Sequence, residues 1–277
     1  MLIMKFGLYM PNYGKILGYA KNLSELASLA EEAGWDGFFI FDHILAEKLT
    51  KHPMVNPWII LSAIAMKTEK IKFGTTVTPL PRRRPWKLAR ETVTLDHLSN
   101  GRLILTSGLG TPPDVEYGSF WEETNAKIRA EKLDEGLDIL LGLWGGKVFS
   151  YKGKHFKIDQ VKFLPKPFQQ PRITIWGSGF WPNKLPFIRS ARLDGVFPLS
   201  TGAHGKLTDK DFGEMRDFIF EHRDLKTPFD MVKLSGITDK GTIAKFEDVG
   251  VTWGLTYIGA STKLEVLHQR IKRGPPS

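Results

Sequence analysis

Where the apolar run Phe38-Phe39-Ile40-Phe41 ends, Asp42 and His43 stand side by side. An imidazole with its ordinary pKa near 6.5 trades protons around neutral pH, and a neighbouring carboxylate can orient it. The pair reads as a proton-transfer site. It reads equally as a satisfied histidine at a strand end with Asp42 capping a loop, and the residue types alone leave both readings open. Two Gly-x-Gly stretches, Gly108-Leu109-Gly110 and Gly177-Ser178-Gly179, also follow apolar segments. Neither reaches a third glycine, because Pro113 and Pro182 occupy that place, so the dinucleotide fingerprint fails. Glycines after a strand still bare their backbone N–H groups, and a helix starting near Lys184 would add its positive end at Gly177–Gly179. That makes a phosphate cradle.

Other chemistries find little support. His52, His97, His155, His204, His222 and His268 show no metal-ligand spacing, and no metal site is expected. The chain has no cysteine, which removes disulfides, thiolate ligands and cysteine nucleophiles. Glu31-Glu32 and Glu122-Glu123 look like solvated charges, and no G-x-S-x-G elbow occurs. The net charge of +9 favours anionic partners. Its densest run, Arg82-Arg83-Arg84, reads either as a solvated loop or as an anion contact. No nucleic-acid-binding signature accompanies it, so nucleic acid is not an expected partner.

These residues need elements to hold them. Strands are expected over residues 5–10, 38–41, 71–78, 103–106, 173–176, 195–198, 229–234 and 253–258. Helices are expected over 23–33, 57–67, 86–98, 125–143, 184–192, 209–223, 242–249 and 263–272. The run at 38–41 is apolar on consecutive residues, the habit of a strand covered on both faces. Eight strands, each followed by a helix, over 277 residues predict a TIM (β/α)8 barrel of α/β class as one domain, residues 1–277. A β-hairpin around residues 147–160, with its tip at Lys152-Gly153, reads as an insertion. Active sites of such barrels lie at the C-terminal strand ends. That places Asn12, Asp42, His43, Thr75-Thr76-Val77, Gly108–Gly110 and Gly177–Gly179 around one mouth. The opening residues show no basic segment before an apolar one, and no apolar run approaches the ~20 residues of a membrane span. A cytoplasmic protein without a leader or membrane segment is expected.

In order and spacing, several stretches resemble the bacterial luciferase-like superfamily of flavin-dependent monooxygenases and F420-dependent relatives. They are KFGLYMPNYG, GWDGFFIFDHI, GTTVTPLPRRRPWKLARETVTLDHLSNGRLIL, RAEKLDEGLDILLGLWGGKVFSYKGKHFKI, PRITIWGSG and ARLDGVFP. The resemblance spans nearly the whole chain. It implies an isoalloxazine-type ring in the mouth, with His43, beside Asp42, taking part in proton chemistry at that ring. It implies a non-proline cis peptide between Thr76 and Val77 bulging toward the ring. It also implies cofactor contacts from Gly108, Leu109 and Gly110, and a phosphate held by Gly177, Ser178 and Gly179. Some flavin-using members have an arginine where this chain has Leu109, which weighs against FMN, while the basic excess suits the phosphate and glutamates of F420.

The expected function is a redox enzyme acting on a small organic substrate, either by hydride transfer or by oxygenation through reduced FMN, with coenzyme F420 as the alternative cofactor. Oxygenation would call for a separate reductase as partner, and the family suggests a homodimer. A catalytically silent flavin carrier is the rival of another class, and an unrelated barrel aldolase or isomerase is a third. Loops 45–57 and 111–124, with Tyr117, Phe120 and Trp121, are candidates either for substrate contact or for rim packing.

Overall fold

A computed structural model describes residues 3–201, 206–224 and 226–277; His204 lies outside them. In chain order the strands are β1 (Lys5–Met10), β2 (Gly37–Ile40), β3 (Lys72–Pro79), β4 (Leu103–Gly108), β5 (Val148–Lys152), β6 (Lys157–Lys162), β7 (Thr174–Trp181), β8 (Gly195–Ser200), β9 (Asp230–Leu234) and β10 (Trp253–Tyr257). All but β5 and β6 form a closed parallel barrel in the order β1-β10-β9-β8-β7-β4-β3-β2, and β5 and β6 pair antiparallel outside it. Among the described residues the helices are α1 (Ala20–Glu32), α2 (Pro57–Lys67), α3 (Pro85–Leu98), α4 (Pro113–Glu116), α5 (Ala126–Trp144), α6 (Lys184–Ala191), α7 (Asp209–Glu221), α8 (Lys240–Glu247) and α9 (Leu264–Lys272). This is the expected TIM barrel. No described helix is long and apolar enough to cross a membrane.

Local chemistry sets the element starts. Asn56 accepts from the N–H of Trp58 and Ile59, with Pro57 in the first turn, and Asn125 caps α5 through Lys127 and Ile128 in the same way. Side chains alternate along the strands between two cores. Phe39, Ile104, Trp176, Phe197, Val232 and Trp253 fill the bore, whereas Phe38, Phe73, Leu103 and Leu105 face the helix layer. Phe39, Trp176 and Trp253 meet with ring centroids 5.3–5.8 Å apart, so the bore is a packed core and leaves the rim for chemistry. On the outside, Glu135 of α5 accepts from the N–H groups of Lys154, His155 and Phe156 and fastens the hairpin tip.

One boundary departs from expectation in a way that matters for the site. Residues 177–179 form no turn. β7 runs on to Trp181, with Gly177, Ser178 and Gly179 paired to Val196, Phe197 and Pro198 of β8. Glycine lowers strand propensity, so the sequence reads as a break. The missing side chains serve packing instead: a Cβ on Gly177 would lie 2.1 Å from Ser190 Oγ, and one on Gly179 2.2 Å from Pro186 Cβ. The two glycines let α6 lie close against the strand.

Candidate active site

β2 ends at Ile40, and the chain then delivers Phe41, Asp42 and His43 to the rim. Asp42 does not orient the imidazole. Its buried carboxylate accepts from Trp58 Nε1 at 3.1 Å, from Arg82 Nη2 at 3.0 Å and from Arg83 Nη2 at 2.6 Å. The partner of His43 is Glu116, the last residue of α4, whose Oε1 lies 2.7 Å from Nδ1. A carboxylate can only accept, so Nδ1 carries the proton, and in the neutral ring the Nε2 lone pair is bare. Nε2 makes no hydrogen bond among the described residues, and the His43 side chain keeps 23% exposure. Burial, seconded by Arg82 and opposed by Asp42, pushes the imidazole down to about 4. That direction favours the uncharged form, against the pull of the Glu116 carboxylate toward the imidazolium.

Glu116 is almost wholly buried. It accepts from Arg82 Nη1 and, at 3.3 Å, from the backbone N–H of Ile44 and of Leu45. The arginine run is therefore neither a solvated loop nor a free anion contact at Arg82 and Arg83, because both guanidinium groups are engaged by acids from within the chain. Sequence reasoning missed Glu116 altogether.

Around His43 stands an aromatic wall. The Phe41 and Tyr13 rings lie 5.4 and 6.1 Å from the imidazole, Tyr257 stacks on Phe41 at 6.2 Å, and Tyr9 lies 4.7 Å from Phe41. Burial raises the Tyr9 and Tyr13 phenols above their usual range, which keeps them neutral.

The expected cofactor residues divide into groups. Val77, Gly108, Leu109, Gly110, Ser178 and Gly179 share one hollow of about 240 Å³ with Arg129, Asn183 and Arg189. His43 and Asp42 line a second hollow, of about 310 Å³, with Met54, Val55 and Asn56. Gly177 reaches neither, being turned against Ser190. Asn12 is fully buried, and its Nδ2 staples the loop after β2 through His43 O at 2.9 Å and Val55 O at 2.8 Å. The peptide between Thr76 and Val77 is cis, at a register shift between β3 and β4. No guanidinium stands at Leu109, but two reach the same hollow from the helices. Arg129 Nη1 donates to Leu109 O and Gly110 O, each at 3.0 Å, and Arg189 faces the same hollow while paired to Asp134. Tyr117 donates to Leu109 O at 2.6 Å, so it packs the rim, whereas Trp121 is exposed.

Three buried polar atoms, Asn12 Oδ1, Thr76 Oγ1 and Thr106 Oγ1, have no hydrogen-bond partner. Asn12 follows β1, Thr76 and Thr106 lie within the C-terminal halves of β3 and β4, and strand alternation turns both threonines toward the bore. Buried polar groups are ordinarily satisfied. An acceptor and two hydroxyls left over beneath the mouth have the chemistry to answer the mixed donor–acceptor edge of a flavin-type ring, although none of the three residues lines either hollow. Lys233 of β9 is a buried lysine that sequence reasoning passed over. Burial and Lys206 push it down to about 8, but Nζ donates to Leu234 O and Ser235 O and lies 5.3 Å from the Phe246 ring of α8, so the ammonium is held by backbone carbonyls at the edge of a hollow it shares with Tyr257. It offers no support for an aldolase-type lysine.

A closed parallel barrel with a held imidazole and unpartnered polar atoms toward the C-terminal side of its strands puts the candidate site where barrel enzymes keep theirs. The chain belongs to the luciferase-like monooxygenase family, whose model matches residues 4–187. It is 30% identical over 203 residues to an F420-dependent glucose-6-phosphate dehydrogenase of Nakamurella multipartita, covering 70% of this chain and 57% of that protein. It is 27% identical over 205 residues to the oxygenase component of a flavin-dependent trigonelline monooxygenase of Acinetobacter baylyi, covering 74% and 55%. The chain thus matches little more than half the length of either relative. Among solved structures, an F420-dependent secondary alcohol dehydrogenase bound to an F420–acetone adduct superposes with TM-score 0.79 at 15% identity, covering 98% of both chains. At that identity the likeness shows the fold.

Proposed function

We propose that the protein is a flavin-type oxidoreductase that works on a small organic substrate at the mouth of the barrel. The observation that carries this reading is His43: a neutral imidazole held through Nδ1 by Glu116, with a bare Nε2 beside an aromatic wall. A bound isoalloxazine-type ring, FMN in the first reading, supplies the hydride or oxygen-activating chemistry. The chain supplies the rest. His43 Nε2 takes a proton from a substrate hydroxyl or returns one. Glu116 keeps the proton on Nδ1. Thr76, Thr106 and Asn12 Oδ1 meet the ring's polar edge, and Arg129 holds the β4 turn against it. The rings of Tyr9, Tyr13, Phe41 and Tyr257 keep water from the reacting atoms.

Coenzyme F420 is the second reading, favoured by Arg129 and Arg189 at the glycine-lined hollow and by the cofactor of the Nakamurella relative. Oxygenation would bring in a separate reductase, since the Acinetobacter relative is the oxygenase component of its monooxygenase. A homodimer belongs to the same proposal. Ile59 and Met66, seven residues apart on α2, are 71% and 70% exposed on a helix that is apolar all round, a face suited to a second copy. So does a cytoplasmic location, which suits a chain without cysteine.

The test is parallel titration of the apoprotein with FMN and with F420, followed by absorbance and fluorescence. Saturable binding of one of them supports the reading, and indifference to both ends it. Tight binding without turnover of any alcohol, aldehyde or ketone would favour the silent carrier.

A further inference from the structure

We propose that Arg82 is a positioning residue of this site: by joining two buried carboxylates from different loops, it keeps His43 an uncharged, Nδ1-protonated base. The inference rests on the reading of His43 as the proton-transfer group, but its electrostatic part stands apart from turnover.

The Arg82 side chain is 2% exposed. Nη1 donates to Glu116 Oε2, and Nη2 donates to Asp42 O at 2.6 Å and to Asp42 Oδ1 at 3.0 Å. Its Nε is buried without a partner. A guanidinium that leaves one donor unmet while serving two acids is placed by those acids. Its fork suits the task, since a lysine presents a point charge and cannot span two carboxylates in the same geometry.

The charges around His43 come from every side. Asp42 adjoins it on its own loop, Glu116 comes from α4, and Arg82 and Arg83 come from the turn after β3. Tyr13, from the loop after β1, is an uncharged phenol. Two acids and two guanidinium groups cancel, so a neutral imidazole leaves the cluster neutral and a protonated one adds an uncompensated buried charge. Arg83 cannot replace Arg82, because among the described residues its hydrogen bonds go to Asp42 and none reaches Glu116. Without Arg82, the counter-ion nearest to Glu116 would be His43 itself. The imidazole would then carry both protons, and its Nε2 would be a donor in place of a free lone pair. Arg82 thus selects which half of acid–base chemistry the histidine performs.

The experiment is NMR titration of the imidazoles in full-length labelled protein, with His43→Gln assigning the signal. In the wild type the ¹⁵N shifts at pH 7 are expected to report the neutral form protonated on Nδ1; an imidazolium or an Nε2-protonated ring overturns the proposal without any variant. Arg82→Gln is expected to raise the His43 midpoint by about one pH unit or more. Arg82→Lys, which keeps the charge, is expected to stay nearer the wild type. The charge-balanced pair Arg82→Gln with Glu116→Gln is expected to bring the midpoint back down. A folded Arg82→Gln protein with the wild-type midpoint, or a double variant as shifted as the single one, overturns the proposal. Failure of FMN and F420 to bind would defeat the redox reading and leave this titration intact.

Discussion

His43 Nδ1 and Glu116 Oε1 stand 2.7 Å apart although 73 residues separate them in the chain. One leaves the barrel after β2 and the other after β4, and the closed sheet brings their loops together over β3. The pairing makes His43 a base with one defined tautomer.

His43→Ala should lose at least about tenfold in turnover, the low end for losing a proton-transfer group, while keeping cofactor affinity. Turnover and cofactor titration on the same preparation check it, and an unchanged rate would remove His43 from its role.

Glu116→Gln removes the charge that answers Arg82 and weakens the hold on the imidazole. Turnover should fall roughly tenfold to hundredfold, with cofactor affinity changed far less, because Glu116 lies outside the glycine-lined hollow. Equal losses in both would mean that α4 has collapsed and that the assignment is wrong.

Acid should cost stability through His43. Above pH 6.5 the folded and unfolded chains both carry it uncharged. Between 6.5 and about 4 the unfolded chain binds the proton and the folded one does not, so stability drains away as the pH falls across that window. Urea midpoints at pH 7 and 4.5 should differ more for the wild type than for His43→Gln. Turnover that depends on the uncharged base should be level from about pH 8 to 5.5.

Gly177→Ala should destabilise by about 1–3 kcal/mol, the usual cost of overpacking, because the new methyl meets Ser190 Oγ at 2.1 Å. Pairing it with Ser190→Gly should recover part of the loss in urea melts. By the same geometry a charge at Gly179 would push on Pro186 before touching any ligand, so Arg129 is the better probe of the cofactor hollow. Arg129→Ala should weaken cofactor binding by about 1–3 kcal/mol, since it frees the carbonyls of Leu109 and Gly110 as well as removing a cation.

The barrel was legible because its strands announce themselves as consecutive apolar runs, and the strand-two end followed directly from Phe38–Phe41. The partner of His43 was not. Glu116 sits in PPDVEYGSF, a polar segment with no periodicity, and its burial comes from residues far away in the chain. Arg82 looked like one of three surface charges because a sequence does not show which arginine meets an acid. Gly177–Gly179 looked like a turn because what requires glycine there is the helix that follows, at Ser190 for Gly177 and at Pro186 for Gly179.

The separate origins of Glu116 and His43 carry an operating cost and a safeguard together. If the entrance is to admit cargo by swinging aside the segment after β4, it must carry the acid away from the imidazole and disarm it. The swing that resealed the doorway would rearm it, so a gaping vestibule would be an idle one.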